Sequence, residues 1–319
     1  MITPESEPPP PDLRTDVDPR ERAHRPVQDF SYTPYAVPSL STVRRIGVMG
    51  DLHGDLEHAM QAVQTFADRG VTCVVQLGDW GVLWPGTNWR IALRKISRAL
   101  ARHQMAMLVI DGNHEYFPKL LEFPIAADGI RWIAANIGHL PRGYRTQIGA
   151  RFTLAALGGA NSIDRRFRQE GVSWWPEEQI TAADLRQLGS DHADVLLGHE
   201  APLMDERALE KSARDAGYSP ADIAYAAGSR VMFRQAVLQT RPRLTLGGHY
   251  HRHYDQTLSL PGQTHPTRVV VLDMNGKHRV NLAILHTTTL DLELLYRNGA
   301  PAEPDTNAPE RTDNDRPQC

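Results

Sequence analysis

Ile46-Gly47-Val48-Met49-Gly50-Asp51-Leu52-His53-Gly54-Asp55 is an apolar run that stops at a carboxylate, with an imidazole two residues further on. A short apolar run closed by Gly reads as a buried strand. Asp51 and His53 then stand where the strand opens into a loop. On an extended backbone, side chains at i and i+2 project to the same side. One oxygen and one nitrogen ligand aimed at a common point make half of a metal site. A loop with a capping Asp and a surface His is the other reading of this stretch, and the remainder of the chain decides between them.

The same phrase recurs. Thr72–Leu77 reads as a strand ended by Gly78-Asp79, and Met105–Ile110 as one ended by Asp111-Gly112-Asn113-His114-Glu115. Ala193–Leu197 runs into Gly198-His199-Glu200, and Leu244–Leu246 into Gly247-Gly248-His249-Tyr250-His251. Five strands thus end in Gly followed, directly or nearly so, by a candidate ligand: Asp51 and His53, Asp79, Asn113 with His114, His199, and His249 with His251. Gly at such a point lets the backbone turn sharply and approach a bound group. One or two such endings could arise by chance or as caps; five in order point to a shared site.

Between the strands lie helical patterns. Leu56, Met60, Val63, Phe66 and Ala67 share a face, with Asp55 to cap the start and Gly70 to end it. Asn88–His103 carries Ile91, Leu93, Ile96 and Leu100 as a rough apolar face, and Thr181-Ala182-Ala183-Asp184 is a capping box whose helix Gly189 can end. Ile130–Ala134 and Phe152–Leu157 look like further strands, and 205–240 is polar and helix-leaning, broken near Gly217–Pro220. Strand-like segments at 268–274, 280–286 and 290–296 suggest a second, antiparallel part. Strands alternating with helices predict an open α/β sheet, whose working site lies beyond the carboxyl ends of the strands.

The chain has 319 residues, 41% of them hydrophobic, and a net charge of −3. The apolar share supports a sizeable core, and the charge gives no support to a protein built to coat nucleic acid. No apolar run is long enough to span a bilayer. The first residues are acidic and Pro-rich without the apolar core of a signal peptide, so the cytoplasm is the default compartment. Residues 1–40 and 299–319 read as disordered tails around a domain at 41–298. The cysteines are Cys73, inside an apolar run, and Cys319, in the polar tail; a disulfide between them is not expected.

Taken together, GDLHGD, QLGDW, IDGNHE, LLGHEAP and GGHYH resemble the boxes of the calcineurin-like metallophosphoesterase superfamily, over about residues 45–255. The resemblance implies a four-layer αββα sandwich, two mixed β-sheets flanked by helices, with a dinuclear metal centre above the strand ends. Carried over by position, one ion is held by Asp51, His53, Asp79 and His251, the other by Asp79, Asn113, His199 and His249, with Asp79 bridging. Mixed imidazole and carboxylate ligands suit Mn, Fe or Zn. The implied activity is hydrolysis of a phosphomonoester or phosphodiester by in-line attack of a metal-bridging hydroxide. His114 is the family's non-ligand histidine, placed to stabilise the transition state or protonate the leaving oxygen, and Glu115 is expected to orient it.

The protein Ser/Thr phosphatases share GDLHG and GNHE but add two phosphate-clamping arginines. Here Gly78-Asp79-Trp80-Gly81-Val82-Leu83 lacks the first, and Asp111 stands in place of the second. Asp111 reads as a polar strand-end residue. Gly158–Arg168 with Ser173–Glu178 resembles a segment of a bacterial and phage branch of the superfamily. Its Arg165, Arg166 and Arg168 either bind substrate phosphate or form a solvated basic loop. Trp80, Trp84, Trp89, Trp174 and Trp175 either stack on a nucleobase or pack in the core. The expected partner is a small phosphorylated substrate, nucleotides included; a noncatalytic binding scaffold and a protein Ser/Thr phosphatase are the alternatives. The remaining histidines, His58 and His139 among them, read as structural or exposed.

Overall fold

The computed structural model describes residues 39–86, 88–202 and 206–302. The two expected tails therefore lie almost wholly outside the described residues.

Alternation along the strands sorts their side chains into layers. In β2 (Cys73–Gln76), Cys73 and Val75 enter one core and Val74 the core on the opposite face. β3 (Ala106–Val109) does the same, with Leu108 on the first side and Met107 and Val109 on the second. In β8 (Val195–Gly198), Val195 and Leu197 join Cys73 and Val75, while Leu196 faces a third cluster. Strands buried on both faces read as continuous apolar runs, which is why these were legible as strands.

Two mixed sheets result. The first runs β13 (Leu292–Leu295), β12 (Leu282–His286), β1 (Arg45–Met49), β2, β3, β5 (Ile137–His139), β4 (Arg131–Ala134). The second runs β10 (Tyr254–Leu258), β11 (Thr267–Val271), β9 (Leu244–Gly247), β8, β7 (Phe152–Leu157), β6 (Arg145–Ile148). β1, β2, β3 and β5 are parallel neighbours in one sheet, and β7, β8, β9 and β11 in the other. The sheets face each other across the core that holds Ile46, Val48, Leu154 and Leu246.

Helices cover both outer faces, completing the four-layer arrangement. α1 (Leu56–Asp68), α2 (Trp89–Arg102) and the short α3 (Phe117–Leu120) lay Phe66, Ile96, Leu100 and Leu120 on the first sheet. α4 (Ala182–Leu188) and α6 (Pro220–Thr240) lay Leu188, Phe233 and Val237 on the second. Fully burying a Phe such as Phe66 or Phe233 contributes about 1.5–3 kcal/mol. The start signals are used as read: Asp55 accepts from the backbone N of His58 at 2.9 Å, and Thr181 with Asp184 forms a reciprocal capping box. Each such cap contributes about 1 kcal/mol.

The structure departs from the sequence reading in three places. The late strands do not form a separate antiparallel part: β11 joins the second sheet parallel to β9, while β12 pairs antiparallel with β1 in the first. β5, β6 and β10 lie in stretches too short or too polar to signal a strand. Ile91 is exposed, so the buried face of α2 is Leu93, Ile96, Ala99 and Leu100. Within 206–240, α5 (Glu206–Asp215) precedes the 21-residue α6. Among the described residues no helix is long and apolar enough to cross a membrane.

Candidate metal centre

The parallel strands of both sheets deliver their carboxyl ends to one place. Asp51 follows β1, Asp79 follows β2, Asn113 follows β3, His199 follows β8, and His249 and His251 follow β9. Contacts across the two sheets close the set. The backbone N of His249 donates to both carboxylate oxygens of Asp51 at 3.1 Å, and His199 Nδ1 lies 2.7 Å from Leu77 O. Close approach explains two of the glycines: a Cβ on Gly112 would stand 2.1 Å from Asp79 Oδ1, and one on Gly248 2.1 Å from Asp51 Oδ1.

Asp51, His53, Asp79 and His251 each offer a ligand atom, all within 4.8 Å of one another. His53 Nε2 and His251 Nε2 are 2.9 Å apart, and Asp51 Oδ2 lies 3.4 Å from His251 Nε2 and 3.9 Å from His53 Nε2. Asp79 divides its oxygens. Oδ1 accepts from the backbone N of His114 at 2.8 Å, whereas Oδ2 is buried without a hydrogen-bond partner. An orphaned carboxylate oxygen in the interior is costly unless a cation takes it up. Beside it, His199 Nε2 stands 3.1 Å from Asn113 Oδ1 and 3.3 Å from Asp79 Oδ1, and the ring of His249 is 5.1 Å from that of His199. The Leu77 carbonyl can only accept, so Nδ1 of His199 carries the proton and Nε2 is the atom offered to the centre. The first expected donor set therefore exists as a group whose chemistry fits a divalent ion; of the second, Asp79, Asn113 and His199 lie together, with the His249 ring beside them.

The electrostatics add a condition: against burial, Asp79 and Asp51 push His199 up to about 10, so Nε2 holds a second proton that must leave when an ion binds. Burial works against the Asp79 charge, but the neighbouring imidazoles, His199 foremost, outweigh it and hold the carboxyl well below the usual carboxylate range. Burial, then the charge of His199, pushes His249 down to about 3, so its imidazole is neutral and can ligate. Burial and the charge of Asp79 push the Glu115 carboxyl up to about 8.

Four of the candidate ligands hold backbone that non-glycine residues rarely adopt: His53 at φ 46°, Asp79 at 52°, His249 at 72° and His251 at 51°. Strain of about 1–3 kcal/mol per residue persists only where the surroundings enforce it, and it gathers at functional sites. It also corrects one step of the sequence reading. Asp51 and His53 converge through a left-handed turn, not along an extended strand.

His114 stands at the mouth of the centre, its ring 5.5 Å from that of His53 and its Nε2 3.4 Å from Arg168 Nη2. Burial first, and Arg168 against the opposing charge of Asp79, keeps the imidazole well below its ordinary value. The hydrogen bonding of Glu115 among the described residues runs elsewhere than to the His114 ring. Neighbours in sequence point apart, and the Glu115 carboxylate accepts from the backbone N of Trp80 at 2.7 Å, bracing the loop that carries Asp79. The carbonyl of His114 accepts instead from Trp84 Nε1 at 2.8 Å.

The three arginines part company. Arg165 packs over the rings of Trp174 and Tyr225, and Arg166 pairs with Asp222 at 3.2 Å. Of the three, Arg168 is the one that reaches His114, held by two 2.7 Å bonds to Asp164. Trp80, Trp174 and Trp175 are buried, which removes them as stacking platforms for a base. Asp111 is more than a strand-end residue: Arg142 grips its Oδ2 at 2.6 and 2.9 Å and His139 meets Oδ1 at 3.1 Å. Where protein Ser/Thr phosphatases carry a clamping arginine, this chain has a neutralised, buried carboxylate.

Several supports of the site lie outside every motif. Asn281 Nδ2 donates to Asp51 O at 3.2 Å, and Arg279 Nη1 donates to His251 O at 2.8 Å. Glu200 accepts from the Tyr250 hydroxyl and from Ser229 on α6, tying the loops after β8 and β9 together. Glu200 and Tyr250 sit next to motif histidines, which is a usable signal. Asn281 and Arg279 become neighbours only because β12 returns beside β1.

A sequence profile described as calcineurin-like phosphoesterase matches residues 44–253. No curated protein is similar enough to count as a relative. Among solved structures, the protein TT1561 of Thermus thermophilus is similar over 80% of this chain and 100% of its own, at 17% identity and a TM-score of 0.52. A dimetal phosphatase from Danio rerio is similar over 80% of this chain and 97% of its own, at 14% identity and a TM-score of 0.48. At 17% identity the likeness to TT1561 is one of fold.

Proposed function

The chain belongs to the calcineurin-like phosphoesterase family, and we propose that it is a divalent-metal-dependent phosphoric ester hydrolase acting on a small phosphorylated substrate, nucleotides included. The observation that carries this reading is the convergence of donor atoms around the orphaned Asp79 Oδ2. Asp51, His53, Asp79 and His251 would hold one ion of Mn, Fe or Zn, and Asp79, Asn113, His199 and His249 a second. Two such ions supply positive charge to phosphate oxygens and lower the pKa of water towards neutrality.

The chain's own residues do the rest. Arg168, kept in place by Asp164, turns Nη2 towards His114 and offers charge-assisted hydrogen bonds to a phosphate entering there. His114 is held neutral by its surroundings. Beside a bound phosphate the imidazole is placed to hydrogen-bond the leaving oxygen, and the anion's charge favours the proton it would give up. Arg165 and Arg166 anchor the loop that carries Arg168 to α6. The buried Asp111–Arg142 pair in place of a clamp favours small substrates over phosphoproteins.

The test is hydrolysis of p-nitrophenyl phosphate and bis(p-nitrophenyl) phosphate, followed by a nucleotide panel, with Mn and with chelator. Turnover that needs the metal supports the reading, and the ratio of monoester to diester rates narrows the substrate. Absence of turnover on every compound with the ions bound would leave a noncatalytic scaffold.

A further inference from the structure

Asn113 presents one ambiguous group to the centre. An amide can turn either its carbonyl oxygen or its NH2 towards a given point, and only the oxygen can ligate a cation. What decides the orientation lies behind it. Asn113 Nδ2 donates to Ser162 Oγ at 3.0 Å, and Ser162 Oγ donates to Glu178 Oε2 at 2.6 Å. Glu178 Oε1 takes the backbone N–H of Ser162 at 2.9 Å and the hydroxyl of Tyr225 at 2.8 Å. All of this is internal, with Asn113, Ser162 and Glu178 buried.

The relay has a direction. Burial raises the Glu178 carboxyl, but Ser162 N, Ser162 Oγ and the Tyr225 hydroxyl all donate to it and favour the ionised form; a carboxylate only accepts, so the single hydroxyl proton of Ser162 is committed to Glu178. Ser162 Oγ is then left as an acceptor, and the amide must face it with NH2. The carbonyl oxygen is thereby turned to the other side, 3.1 Å from His199 Nε2. We propose that Ser162 and Glu178 are positioning residues that fix the Asn113 amide with its oxygen towards the centre and so set the affinity for one of the two ions. This rests on the dinuclear reading above. It also gives α6 a role: through Tyr225 it holds the carboxylate that polarises the relay.

Glu178→Gln is the discriminating variant. It keeps shape and volume but brings an NH2 that can donate to Ser162, free its hydroxyl proton to point at Asn113, and flip the amide. Mn titration by calorimetry on the folded, metal-stripped protein reads the result. Wild type takes up two equivalents. Glu178→Gln weakens one of them by about 10–100-fold, the usual scale for a group supporting a metal ligand, and leaves the other unchanged. Ser162→Ala, which cuts the same link, does likewise and serves if the first variant does not fold. Tyr225→Phe removes one bond from the same carboxylate without reversing the relay and keeps both equivalents. Unchanged affinities in both relay variants, or equal weakening in Tyr225→Phe, overturn the proposal. A wild type that takes up only one equivalent overturns the dinuclear reading and this inference with it.

Discussion

The imidazoles of His53 and His251 meet Nε2 to Nε2 at 2.9 Å, with the carboxylates of Asp51 and Asp79 on either side. Without an ion one ring must donate to the other; two carboxylates within 4.8 Å of both nitrogens favour a cation in place of that proton. Metal should therefore stabilise the native state. At a free ion concentration of about 100 times Kd the gain is about 2.7 kcal/mol, visible as a rise of several degrees in Tm. Chelator should reverse it, and His251→Ala should shrink it. Differential scanning calorimetry with and without Mn checks this; a Tm indifferent to metal contradicts it.

His114 and Arg168 share the mouth of the site but not a role. His114→Ala should keep its metal and lose about 10²–10⁴-fold in turnover, the range for a lost proton donor. Arg168→Ala should act mainly on KM, because its guanidinium binds phosphate before and during the reaction alike. Steady-state kinetics alongside metal analysis separates the two. Loss of metal in His114→Ala would make it a ligand instead.

Glu115 makes stability depend on pH. Its buried carboxyl titrates near 8 in the fold against an ordinary 4.5. A group raised in this way contributes fully below its unfolded value and loses that contribution as pH rises through the folded one. Metal-free wild type should weaken from about pH 5 to about pH 8 on this account. Glu115→Gln can still accept from Trp80 N, so its Tm advantage over wild type should grow across that window. A constant difference at all pH values would show that the buried carboxyl stays ionised.

Much of the candidate site was legible because its proposed ligands follow strands buried on both faces, whose apolar runs stop abruptly. Asp51, Asp79, Asn113, His199 and His249 could be found in this way, and the glycines before them mark real close approaches, as Gly112 and Gly248 show. The left-handed turn at His53 was not legible, since nothing in Leu52-His53-Gly54 distinguishes it from extended chain. Nor was the true partner of Glu115, because adjacency in sequence says little about where a side chain points. Arg142 and Asn281 escaped for a different reason: each meets the site through sheet topology, from a segment with no local signal. The late strands misled in the same way, being edge and return strands of two sheets rather than a part of their own.

Asp79 is proposed to bridge a pair of ions. The most direct measurement is the number of Mn equivalents bound per chain, by elemental analysis after equilibrium dialysis, in wild type and in Asp79→Asn. Wild type should bind two equivalents and the variant at most one, with loss of phosphoester hydrolysis. A wild type that binds none, or an Asp79→Asn chain that still binds two, would contradict it.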